Sequence, residues 1–193
     1  NMGNKGFLFI FNQAAGKKKK ADINALVLDR ASKAGLNKDD IFLVYSTSKA
    51  SSQFLIDRFS EKYRDGVVVA CGGDGTVHSI GNLMIDTALT FAILPLGTGN
   101  DLYTGLYGNR SVKDQIDHIF KGKTSETDAI YIPELDLYTM NILSVGADAN
   151  VVFQANDFKE KHKFLQKYAY MASSPKALQA DTAFDIRLTA RKE

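Results

Sequence analysis

The sequence predicts an α/β domain, a parallel sheet covered by helices on both faces, followed by the beginning of a β-rich sandwich domain. Two observations predict the first part: short apolar runs alternate with helix-length segments, and those runs are continuously apolar rather than alternating, as strands buried on both faces are. A third predicts the second part: past residue 124 the pattern gives way to period-two stretches separated by turn residues.

The elements come in this order along the chain. "GFLFIFN" (Gly6–Asn12) is the first strand, and Ala21–Ala34 the first helix, with Ile23, Leu26, Val27 and Arg30 spaced by three and four and Gly35 as its stop. "DIFLVYST" is the second strand, and Ala50–Tyr63 the second helix, its stripe made by Phe54, Leu55, Phe59 and Tyr63. "GVVVACG" is the third strand, Val77–Ile85 the third helix and "TFAILPLG" the fourth strand. Ligands of such sheets bind beyond the carboxyl ends of the strands. After Asp101, Val112–Phe120 reads as a short helix and "KGKTSETD" as a polar connection. The expected division is 2–126 for the α/β domain and 127–193 for the β-rich one, with Phe158–Met171 a helix inserted in the latter.

Composition limits the function classes. The chain has 193 residues, 45% of them hydrophobic, enough for a sizeable core. A net charge of +2 is too small to argue for a nucleic-acid partner by bulk electrostatics, so any anion binding must be local. The single cysteine, Cys71, forms no internal disulfide and fits a reducing, cytoplasmic compartment. No apolar run approaches the roughly 18 residues of a membrane span. Asn1 ahead of Met2 reads as an expression scar. "TAFDIRLTARKE" alternates like a strand and then stops without a partner, which reads as the end of a fragment.

The chemistry concentrates at two strand ends. "GGDGT" (Gly72–Thr76) follows the third strand and "GTGND" (Gly97–Asp101) the fourth, so neighbouring strands open both loops on one edge. Glycines admit close approach of backbone N–H groups and φ > 0, and the following helix adds its positive N-terminal dipole, which together make a phosphate cradle. Thr76 and Thr98 add hydroxyls, whereas Asp74 would repel a bare phosphate unless a cation such as magnesium lies between them. No Walker A pattern is present, and "GTGNDL" lacks the third glycine of the dinucleotide fingerprint.

"GGDGTVHSIGN" and, some twenty residues on, "AILPLGTGNDL" resemble the paired signatures of the diacylglycerol kinase catalytic-domain family, which includes bacterial lipid kinases and is related to sphingosine and ceramide kinases. NAD kinases and phosphofructokinases share a version of the first loop only. "FNQAAGKKK" resembles the family's opening loop, with Gln13 where proline is usual and Gly16 kept, and "IYIPELDLYTMNILSVGADANVV" resembles the start of its second domain. The resemblance implies an NAD kinase/diacylglycerol kinase-like fold and an ATP-dependent lipid kinase acting with Mg2+. It implies that Gly72, Gly73, Asp74, Gly75 and Thr76 form the phosphate loop, completed by Asn12, Thr47 and Thr98, with Asp74 essential to catalysis. Asn100 and Asp101 face the acceptor or stabilise their loop, with helix capping as the plainer alternative. The catalytic base and the metal ligands are expected beyond Glu193, which leaves the fragment with little activity.

The implied partner is a lipid at a membrane surface, met by a cytoplasmic or peripheral protein; nucleic acid is not expected, and a homodimer is left open. Lys17–Lys20 reads as a solvated loop, a contact for anionic headgroups or a contact for nucleotide phosphates. His78, His118 and His162 lack metal-ligand spacing, and Asp136, Asp148 and Asp157 are scattered. The Phe158–Met171 stripe reads as packing rather than a lipid channel. Two other classes stand beside the lipid kinase: a kinase of a soluble acceptor such as NAD or a sugar phosphate, and a module that binds nucleotide without catalysis.

Overall fold

Phe7, Phe9 and Phe11 alternate with Leu8 and Ile10 along the first strand, and all five are buried, so the strand at the centre of the sheet is covered on both sides. The structure, a computed structural model, describes residues 5–12 and 17–142, the side chains of 17–20 excepted. The chain divides into two compact units, residues 1–141 and 142–193, and the sheet with its covering helices lies in the first.

Four parallel strands form the sheet: β1 (Phe7–Asn12), β2 (Ile41–Ser46), β3 (Val67–Gly72) and β4 (Thr90–Pro95), in the spatial order β2-β1-β3-β4. On one face the three phenylalanines of β1 pack with Val67, Val69 and Leu94 against α1 (Lys17–Lys33) and, later in the chain, a helix over Val112–Phe120. On the other face Leu8, Ile10, Val68 and Ile93 pack against α2 (Lys49–Lys62) and α3 (Asp74–Met84). Full burial of one such phenylalanine is worth about 1.5–3 kcal/mol. The predicted doubly covered parallel sheet is therefore the one observed.

Local chemistry sets the helix ends. Gly35 has φ +71, and its N–H donates to the Ser32 carbonyl at 3.1 Å while that of Leu36 reaches Ala31, closing α1. Ser48 caps α2 by accepting from the Ser51 N–H at 3.1 Å, and the Ser51 hydroxyl oxygen in turn accepts the Ser48 N–H. Two helix expectations are corrected. Lys17–Lys20 is the first turn of α1 rather than a loop. Helix α3 begins at Asp74, three residues earlier than the apolar pattern marks, because Gly73 takes the N-cap position. A short helix, α4 (Asp101–Tyr107), follows the second glycine loop, the helix that the capping alternative for Asn100 and Asp101 requires but that no apolar pattern marks.

α5 (Val112–Phe120) is capped by Ser111 and tied to α1 by Arg30, whose Nε and Nη2 donate to the two carboxylate oxygens of Asp117, each at 2.6 Å. Cys71 is fully buried, and burial pushes its thiol well above the usual range, as expected of a small core residue. After the polar connection, β5 (Ile130–Ile132) and β6 (Leu137–Thr139) form an antiparallel hairpin around a 3-10 turn at Pro133–Leu135. The Phe158–Met171 segment, the strand near the C-terminus, Gln13, Gly16, Asp148, Asp157 and His162 lie outside the described residues.

Candidate functional site

The strand order reverses between β1 and β3: β1 connects outward to β2, and β3 outward to β4. A crevice beyond the carboxyl ends is the expected ligand position at such a switch point. The registers align these ends, Asn12 beside Ser46 and Gly72 beside Pro95.

A cavity of about 160 Å³ opens there, and its lining includes Asn12, Thr47, Gly75 and Thr76. Four of the residues assigned to nucleotide binding from the sequence are thus brought together. Asn12 Nδ2 donates to Thr76 Oγ1 at 3.3 Å, spanning the crevice. Gly72 permits this, since a Cβ on it would lie 2.5 Å from Thr76 Oγ1. Thr47 is exposed in the turn into α2, with its N–H held by Ser51 Oγ at 3.2 Å. Gly75, in the first turn of α3, has no described atom within 4 Å of where a Cβ would be, space that phosphate oxygens can occupy.

Sequence reasoning missed much of the lining. Ser46, Ser48, Lys49, Ser52 and Ser79 also face the cavity. Ser46 Oγ meets the Ser51 hydroxyl at 2.6 Å and receives that of Ser52 at 2.7 Å, a hydroxyl network under the turn that carries Thr47. The polar run "STSKASS", placed directly at a strand end on the ligand edge, is the signal that could have found them.

The second loop is built differently. Gly73 and Gly97 are stacked backbone on backbone, and a Cβ on Gly97 would collide with Gly73 Cα. Asp74 leans toward this loop: its Oδ2 accepts the Asn100 N–H at 2.8 Å. Asn100 is left-handed at φ 60, ψ 43, and its side chain clasps Gly97, Oδ1 accepting from the N–H at 3.1 Å and Nδ2 donating to the carbonyl at 2.9 Å. Asn100 occupies the N-cap position of α4, yet its side chain makes no cap bond, so it stabilises the loop and does not cap the helix. None of Gly72, Gly73, Gly75, Gly97 and Gly99 has φ > 0, so the loops need glycine for close approach and open space, not for left-handed backbone. Thr98 and Asp101 are exposed, and the cavity lining includes none of Gly72, Gly73, Asp74 and Thr98.

Asp74 Oδ1 is buried and has no hydrogen-bond partner among the described residues. A buried carboxylate oxygen left in this state carries a desolvation cost that a cation or its water would offset, so the residue fits a hydrated magnesium ion. Among the described residues no group of three or more His, Cys, Asp or Glu side chains is placed to hold a metal. His118 packs edge-on to Tyr107, and burial lowers its pKa, with Arg110, Lys121 and Lys123 adding to the effect. Asp136 accepts from the Tyr131 hydroxyl at 2.8 Å and serves the hairpin turn.

Comparison with known proteins adds an independent line. The family described as the diacylglycerol kinase catalytic domain matches residues 6–132. The diacylglycerol kinase zeta of Homo sapiens is 30% identical over 148 residues, 61% of this chain and 15% of the relative. A diacylglycerol kinase of Staphylococcus carnosus is 22% identical over 182 residues, 93% of this chain and 56% of the relative. The crystal structure of a diacylglycerol kinase from Bacillus anthracis superposes with a TM-score of 0.51 at 22% identity, covering 65% of this chain and 45% of the other, and shows a shared fold. The chain thus spans little more than half of the bacterial relative's length, and far less of the human one's.

Proposed function

The chain belongs to the diacylglycerol kinase catalytic-domain family, and from that premise we propose that the full-length protein transfers the γ-phosphate of ATP to the hydroxyl of diacylglycerol or a related lipid alcohol at a membrane surface. The observation that carries the reading is the convergence of Asn12, Thr47, Gly75 and Thr76 on one cavity at the switch point of the sheet. We assign residues 2–126 to the nucleotide-binding domain and 127–193 to the start of the acceptor-side domain.

Phosphoryl transfer needs positioning and charge neutralisation more than covalent chemistry from the protein. The first turn of α3 supplies backbone N–H groups and the positive end of an eleven-residue helix to the phosphates. Thr76 and Thr47 donate hydroxyl hydrogen bonds, and Asn12 holds the Thr76 hydroxyl in place. Asp74 has two roles in this reading: Oδ2 locks the second glycine loop to the first, and Oδ1 would hold magnesium or its water. Magnesium, when bound, would spread the charge developing on the transferred phosphoryl group. In this reading Asn100 fixes the second loop, Asp101, exposed beside it, is assigned to the acceptor, and exposed Thr98 stays assigned to the nucleotide. Among the described residues no helix is long and apolar enough to cross a membrane.

The test is transfer of radiolabelled phosphate from ATP to a panel of lipid alcohols by the full-length protein and its Asp74→Asn variant. Labelled lipid from the unsubstituted protein and at least about a hundredfold less from the variant is expected. Transfer to a soluble acceptor instead of a lipid would move the assignment to the second reading.

A further inference from the structure

Helix α3 carries the proposed phosphate turn at one end and grips the β5–β6 hairpin at the other, and the grip runs through one side chain. Asn82 Oδ1 accepts the Tyr138 N–H at 2.7 Å, and Asn82 Nδ2 donates to the Tyr138 carbonyl at 2.8 Å. The amide thereby pairs with β6 as a peptide group of another strand would. Nδ2 also reaches the His78 carbonyl, one turn back, at 3.0 Å, which fixes the side chain on its own helix. The Met140 methyl lies over Gly81, where a Cβ would collide with it, so the hairpin sits directly against the helix backbone. A hairpin with three residue pairs has little stability of its own and takes its position from what it is docked on.

We propose that Asn82 is a positioning residue for phosphoryl transfer. It keeps the chain leaving β6 in fixed register with the first turn of α3, eight residues or about 12 Å away along a rigid helix. The inference rests on the kinase reading above and adds a residue to which neither the glycine loops nor the cavity points. Asn82 lies outside the cavity, so its loss leaves nucleotide affinity intact. What it costs is the fixed placement of the β5–β6 hairpin, through Asn141, relative to the phosphate turn, and misplacement by an ångström at a distance is enough to slow transfer.

The experiment compares the unsubstituted full-length protein with Asn82→Ala and Asn82→Asp. The aspartate is nearly isosteric, keeps an acceptor for the Tyr138 N–H and loses the donor to its carbonyl, so it carries the test should the alanine variant not fold. ATP affinity and stoichiometry are measured by calorimetry, and kcat is expressed per nucleotide site. Hydrogen exchange is followed at the Tyr138 amide. For both variants the expectation is a Kd for ATP within about twofold of the parent, with kcat per site about tenfold lower in Asn82→Ala and lower by a smaller factor in Asn82→Asp, which keeps one of the two bonds. Exchange at Tyr138 should speed up in Asn82→Ala and stay slow in Asn82→Asp. Unchanged kcat per site in both variants would overturn the proposal, since a purely structural role alters only the number of folded sites. Loss of ATP affinity in step with kcat would also overturn it. If the unsubstituted protein neither binds ATP nor transfers phosphate, the kinase reading falls and this inference with it; if it does both and the variants match it, only this inference falls.

Discussion

The two glycine loops look alike in sequence and are unlike as structures. Around "GGDGT" the chain leaves room: Gly75 faces open space beside a cavity shared with Asn12, Thr47 and Thr76. Around "GTGND" the chain is closed: Gly97 presses on Gly73, Asn100 clasps Gly97, and Asp74 holds the Asn100 N–H. In one loop Gly75 leaves open space beside the cavity, and in the other Gly97 admits a neighbouring backbone. The second loop braces the first, and the Asp74 carboxylate is the joint between them.

The comparison can be broken most sharply at its joint. Asp74→Ala removes the acceptor for Asn100 and the candidate cation ligand together, and magnesium-dependent ATP affinity should fall about tenfold or more, read by calorimetry with and without the metal. Asp74→Asn separates the two roles. It removes the charge but keeps an oxygen for the Asn100 N–H, so stability recovers while the magnesium dependence does not.

Next in size are the glycines themselves. Gly97→Ala drives a Cβ into backbone that cannot yield, and urea unfolding should show a loss of about 1–3 kcal/mol. Gly75→Ala meets nothing within 4 Å and stands in a helix, where alanine is about 1 kcal/mol better than glycine. Its stability should hold or rise while ATP affinity falls. Equal stability loss at both positions would erase the distinction between an open and a closed loop.

Smaller effects probe the core beneath. Cys71 is buried and its thiol is pushed up, so native protein should react with a thiol reagent only as fast as it unfolds. Labelling faster than unfolding would place the residue nearer solvent. His118 has its pKa lowered by burial, so the unfolded chain takes up the proton first. Stability should therefore decline slightly as pH falls below about 6.5, and His118→Gln should flatten that decline.

Much of this was legible in the sequence, for a physical reason. A strand buried on both faces must be apolar throughout, so "FLFIF" and "VVVAC" announce the centre of the sheet by themselves. Glycine, threonine and aspartate at two strand ends mark the candidate ligand edge. What stayed hidden depends on tertiary placement. Asp74, Gly75 and Thr76 have turn-like composition, yet they form a helical turn once Gly73 caps it. Helix α4 is seven residues long with Gly105 inside it, too short for a periodic signal. The clasp of Asn100 requires a left-handed backbone that no local pattern specifies, and the partner of Asn82 is fifty-six residues away.

The claim that most of this rests on is that the open cavity at the β1–β3 crevice is where the triphosphate sits. It is tested most directly by titrating Mg-ATP into the full-length protein and into a Gly75→Val variant, with the melting temperature of each measured alongside. The account predicts binding by the unsubstituted protein and a loss of about tenfold or more in the variant, at a melting temperature close to the parent's. Equal affinity in the two proteins would contradict it and would put the nucleotide elsewhere on the fold.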